Sequence, residues 1–150
     1  MKRTIYRAAA VAAVLLAGLC VPGVVTGAHA QDSQFVGVAM FGESVTNREG
    51  VDDALGDFDS EFDLAGERIC YYLDLEGLRD PNGLEIREGE RGENGILLVR
   101  LRLPDADGDE TCVNVERSVM DRLLADREDY YIIVTTIGKP EGAIRGQLGP

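Results

Sequence analysis

The chain has 150 residues, a length that suits one domain, and its 27 acidic side chains outnumber its 15 basic ones. A charge balance of that sign is unsuited to phosphate backbones or anionic lipid, which excludes nucleic acid as a partner. A single histidine and no tryptophan leave little for base-assisted nucleophilic chemistry.

Residues 1–30 read as a secretory signal peptide. Lys2, Arg3 and Arg7 precede an apolar run from Ala8 to Cys20, and Ala28-His29-Ala30 supplies the small-x-small cleavage pattern before Gln31. The run is short for a membrane span and Pro22 and Gly23 interrupt it, so cleavage after Ala30 is expected, with no span remaining afterwards. Cys20 follows Leu19, where a lipid-attachment cysteine needs a small residue, and the lipoprotein reading is set aside. Cleavage removes His29 and leaves 12 basic against 27 acidic residues, a net charge of −15 carried with one lysine, Lys139, and eleven arginines. Two cysteines remain, Cys70 and Cys112, and an even pair in an exported domain is expected to be bridged.

After residue 33 the hydrophobic period is mostly two. Gln34–Met40 is a short strand, followed by a polar segment over 42–56. Phe58, Ser60, Phe62 and Leu64 alternate with Asp57, Asp59, Glu61 and Asp63, giving one apolar and one acidic face. Arg68–Glu76 is the clearest strand, with Ile69, Tyr71, Leu73 and Leu75 on one face and Cys70 on the other. Asp80-Pro81-Asn82-Gly83 predicts a turn, and Leu84–Glu88 a strand. Gly89–Gly95 is a second glycine-rich loop. Ile96–Leu103 is a strand with Leu97, Val99, Leu101 and Leu103 inward and Arg100 and Arg102 outward.

Thr111–Val115 is a further strand, with Cys112 opposite Val113 and Val115. Both sulfurs therefore lie on the less apolar side of their strands, so the bridge would staple the outside of a sheet. The spacing of Val115, Val119, Met120, Leu123 and Leu124 predicts an amphipathic helix of about three turns. Tyr130–Ile137 is apolar on both faces, as in a central strand, and Pro140 and Gly142 precede a last strand over Ala143–Leu148. Many short strands with glycine-rich turns predict a sandwich or barrel.

Candidate chemistry is thin. Ser33, Ser44, Ser60 and Ser118 are scattered, and a serine–lysine route would have to use Lys139 in the loop Gly138-Lys139-Pro140. Zinc or copper would need His and Cys ligands that the mature chain does not offer. Asp105, Asp107 and Asp109 alternate as in a calcium loop, with Glu116 at position twelve. Glu110 stands where that loop needs glycine and a strand precedes it, so an acidic hairpin tip is the simpler reading. Among 27 acids no two are singled out as a glycosidase pair.

Several segments resemble the CHRD domain, the module repeated in chordin and found singly in exported bacterial proteins. They are Ile69-Cys70-Tyr71-Tyr72-Leu73, Gly89 through Asn94-Gly95 into Ile96–Val99, Thr111-Cys112-Val113, Tyr130–Thr136, and the closing Gly142-Ala143-Ile144-Arg145-Gly146-Gln147-Leu148. The resemblance implies an immunoglobulin-like antiparallel β-sandwich, to which the periodicity adds one short helix. The family's His-Ile-His-x-Gly segment is replaced here by Glu85-Ile86-Arg87-Glu88-Gly89, and Thr135 stands where a further histidine is usual. Any metal or proton chemistry of those histidines does not carry over. Glu85, Arg87, Thr135 and Arg145 are expected to form a polar cluster in their place.

The expectation is an exported, non-catalytic module, secreted or held in the envelope, that binds or scaffolds a protein or envelope partner without a cofactor. Growth-factor binding, known for the animal members, does not transfer to a free-standing single domain. A metal-dependent enzyme of the histidine-bearing sandwich type and a calcium-stabilised surface protein are the alternatives.

Overall fold

The computed structural model describes residues 32–149 except Asp107; residues 1–30, expected to be a signal peptide, lie outside the described residues. Eight strands form one antiparallel sheet: β1 Ser33–Phe41, β2 Leu55–Asp63, β3 Arg68–Glu76, β4 Pro81–Glu88, β5 Ile96–Leu101, β6 Thr111–Asn114, β7 Tyr130–Thr136 and β8 Lys139–Gln147. Their order is β5-β4-β7-β8-β1-β2-β3-β6. One helix, α1 (Arg117–Ala125), separates β6 from β7.

Two four-stranded halves meet at a single backbone pair, Phe41 with Arg145. On the far side the Tyr71 hydroxyl of β3 donates to the Arg102 carbonyl just beyond β5 and accepts from the Arg102 amide at 2.9 Å. The sheet therefore nearly closes on itself, an arrangement between the expected sandwich and a barrel.

The period-two pattern decides what lies inside. Val36, Val38 and Met40 of β1, Phe58 and Phe62 of β2, and Ile69, Tyr71 and Leu73 of β3 are buried in one core with Leu84, Ile86, Ile132, Val134 and Ile144 of the other half. Each such side chain contributes about 1.5–3 kcal/mol when removed from water. Phe58 and Tyr71 stack with ring centroids 5.0 Å apart. Ser60, the polar member of that row, donates to the Val36 carbonyl at 2.8 Å, so its burial leaves no orphaned hydroxyl. Met120 and Leu123 of α1 complete the core.

Three local expectations shift. Leu97 was expected inward and is 44% exposed. Ile86 pairs with Val99 and Arg87 with Leu97, so Leu98 is an extra residue whose bulge reverses the facing of the strand start. The turn before β4 is shorter than Asp80–Gly83, because Pro81 opens the strand as its first residue, where no amide is needed. β8 begins at Lys139 and takes in Pro140 and Gly142, with an irregular register opposite Thr135.

Candidate functional site

The outward side of the half containing β4, β7 and β8 is not open to water along β7. Strand register places Glu85, Ile133 and Arg145 in one cross-strand row, and Arg87, Tyr131 and Gln147 in the next. Tyr131 and Ile133 are fully covered, at 0% and 1% exposure. The apolar character of both faces of β7 thus reflects the core on one side and, on the other, the loop over 89–95 against Tyr131 and Gly142 against Ile133.

That loop is fastened at four points. Arg145 donates from Nη2 to the Glu90 carbonyl and from Nη1 to the Glu93 carbonyl, each at 2.6 Å. Gln147 Nε2 donates to the Gly89 carbonyl at 2.8 Å, and the Gly95 amide donates to the Tyr131 hydroxyl at 2.9 Å. A side chain on Gly95 would overlap the Glu88 carbonyl, so only glycine fits that return. The guanidinium of Arg145 lies 3.5 Å from the centroid of the Tyr131 ring and is 2% exposed. Burial is the main cause that holds its pKa below the ordinary arginine value. Sequence reasoning missed this fastening. Its signal was present in the closing Arg145-Gly146-Gln147 and in the doubly apolar β7, without the register that joins them to the loop.

The four residues expected as a polar cluster separate into three environments. Glu85, 8% exposed, receives Arg87 Nη2 at 2.7 Å and Arg100 Nη2 at 3.1 Å. Burial alone would lower the Arg87 pKa, but the hydrogen bond and charge of Glu85 outweigh it and raise the value. Ile133 stands between Glu85 and Arg145 in the register, and Arg145 takes neutral acceptors. Thr135 donates to the Asn82 side chain at 3.0 Å. Glu85→Gln and Arg87→Gln, made singly and together, are expected to couple by about 1 kcal/mol in urea unfolding. Strict additivity would mean that the pair is no more than two solvated charges.

The opposite half exposes a different surface. Its outward rows, read across β1, β2 and β3, are Ser33–Asp63–Arg68, Phe35–Glu61–Cys70, Gly37–Asp59–Tyr72, Ala39–Asp57–Asp74 and Phe41–Leu55–Glu76. Arg68, at the end of the face, is paired with Asp63 at 3.0 Å, and the other four rows hold no basic residue. Asp57 sits directly opposite Asp74, a like-charge pairing that costs stability. Phe35 is 75% exposed and Tyr72 48%, and the two flank a shallow groove with Gly37, Asp59, Glu61 and Glu110. Cys70 and Cys112 pair across β3 and β6 on this face with sulfurs at bonding distance, 2.09 Å, the outer staple expected from the strand faces.

Asp105 and Asp109 are exposed in the connection between β5 and β6, and Glu116 immediately precedes α1. Asp107 lies outside the described residues. Among the described residues no three His, Cys, Asp or Glu side chains are grouped to hold a metal ion. No described helix is long and apolar enough to cross a membrane.

No curated protein and no solved structure matches the chain. The profile of the CHRD domain matches residues 36–148, from the first buried valine of β1 to the leucine that follows β8. The match takes in the fastened loop, the arginine and glutamine that hold it, and the disulfide pair; the chain belongs to the CHRD domain family.

Proposed function

We propose that the protein is an exported CHRD module that acts by binding, without catalysis, and that its partner presents cationic groups outside the cytoplasm. The observation that carries this reading is the outward face of β1, β2 and β3. Four of its five rows hold carboxylates and aromatic rings and no basic residue, and the Arg68 of the fifth is paired with Asp63. Stability alone disfavours setting Asp57 against Asp74 or leaving Phe35 largely in water. A lysine or arginine side chain satisfies both features at once, since the carboxylates attract its charge and the rings accept it over their faces. Export is supported by residues 1–30 and by the cysteine pair, which suits an oxidising compartment. The non-catalytic reading is supported by the sequence, which has no histidine after His29.

The test is titration of the secreted protein with a lysine-rich peptide. Affinity is expected to fall with added salt, and to fall roughly tenfold in a Phe35→Ser/Tyr72→Ser variant and again in Asp59→Asn/Glu61→Gln. Equal affinity in all three proteins would remove the proposal. N-terminal sequencing checks the cleavage site separately: a start at Gln31 is expected, and a start at Cys20 would make the chain a lipoprotein instead.

A further inference from the structure

The acidic excess of the molecule is reversed locally. A pocket opens between the segment over 42–48, the loop residues Arg91 and Gly92, and the end of β8. Its charged lining residues are Arg48, Arg91 and Arg145 against Glu43 alone, whereas the chain after residue 30 holds 12 basic residues against 27 acidic.

Arg145 is the part of this pocket that is fixed. Its four hydrogen bonds go to the Glu90 and Glu93 carbonyls, the Thr46 hydroxyl and the Gln147 side-chain oxygen, all neutral acceptors. Among the described residues no carboxylate lies within 4.0 Å of it. A cation that is 2% exposed and makes no salt bridge keeps a charge at the pocket floor that the Tyr131 ring only partly offsets. Arg91 adds like charge near it, and Glu93 opposes that effect. Arg48 and Arg91 are exposed at the rim, and neither forms a salt bridge among the described residues. Thr46 accepts from Arg145 at 3.3 Å, which leaves its own hydroxyl hydrogen available. Asn47 and Arg48 both have left-handed backbone, φ 59° and 56°, an unfavourable conformation for such residues that shapes the rim.

We infer that this pocket binds an oxyanion group, a carboxylate or a phosphate. Arg48 and Arg91 close on its oxygens, the Thr46 hydroxyl donates to it, and the buried Arg145 charge supplies the field beneath. Guanidinium groups suit this ligand class because their forked donors match two oxygens at once. The site adjoins the acidic face of β1, β2 and β3, with which it shares Ala39 and Phe41, and selects the opposite charge.

The test is calorimetric titration of the secreted protein with inorganic phosphate and, separately, malonate, in chloride buffer of constant ionic strength. Saturable one-to-one binding is expected in at least one arm, with a melting temperature that rises with ligand. Binding by phosphate alone assigns a phosphate group, by malonate alone a carboxylate, and by both the shared chemistry. Arg48→Gln/Arg91→Gln changes only exposed side chains, so it should melt normally in chloride while its affinity falls at least about tenfold. Arg48→Lys/Arg91→Lys keeps the charge without the fork and should fall between the two. No saturable heat in either arm overturns the inference. So does equal stabilisation of native and glutamine variants, since excluded anions stabilise any compact protein.

Discussion

Replacing both Cys70 and Cys112 with alanine is expected to lower the unfolding free energy by about 4 kcal/mol. The bridge joins residues 42 apart in sequence, and the denatured chain without it gains the loop entropy that this closure removes. The position makes the loss felt in the native state as well. β6 has only four residues and pairs only with β3, and the bridge lies within that pairing. α1 follows β6 directly and delivers Met120 and Leu123 to the core. For a domain of this size the loss corresponds to a fall in melting temperature on the order of 15 °C. Calorimetry of the oxidised protein against the alanine variant measures it. A difference below about 1 kcal/mol would show that the edge strand holds without its staple.

Arg145→Met is expected to cost about 3 kcal/mol, and two opposing effects set that value. Burying a guanidinium costs several kcal/mol, so an apolar replacement of similar length recovers part of the stability. Against this stand four hydrogen bonds from a charged donor, each worth about 1.5–3 kcal/mol, and the contact with the Tyr131 ring. The carbonyls of Glu90 and Glu93 regain water only if the loop lifts, and lifting exposes Tyr131. Destabilisation therefore wins. Urea denaturation should show the loss, together with faster amide exchange over 89–95 than in the native protein. A variant as stable as the native protein would mean that Gln147, Tyr131 and the backbone bond from Gly89 to Asp129 hold the loop without Arg145.

How much of this was legible in the sequence depends on how local each cause is. β3 was readable to the residue, Arg68–Glu76, because nine residues alternate without a breaker. The stripe that ends in α1 was equally plain, since Met120 and Leu123 fall on one helical face. The bulge at Leu98 was not readable, because a run of consecutive apolar residues gives no sign of which one is extra. Glu85 and Arg87 were expected in one polar cluster with Thr135 and Arg145, and only their own pairing, set by spacing along one strand, is a local fact. The fastening of the loop by Arg145 spans 55 residues of sequence and follows from strand order alone. The acidic alternation of β2 was visible from Asp57 to Glu61, but its placement between Phe35 and Tyr72 needed the registers of β1 and β3. The resemblance to the CHRD family rested on residues that the structure brings together. Gly89–Gly95, Tyr131, Arg145 and Gln147 were quoted as separate segments and form one connected arrangement.

The most direct test of binding through the outward sheet face is amide shift mapping of the isotope-labelled protein during titration with the lysine-rich peptide. The account predicts shifts concentrated at Phe35, Gly37, Asp59, Glu61 and Tyr72, lost when salt is raised. Shifts concentrated elsewhere, or no saturating shifts at all, would contradict it.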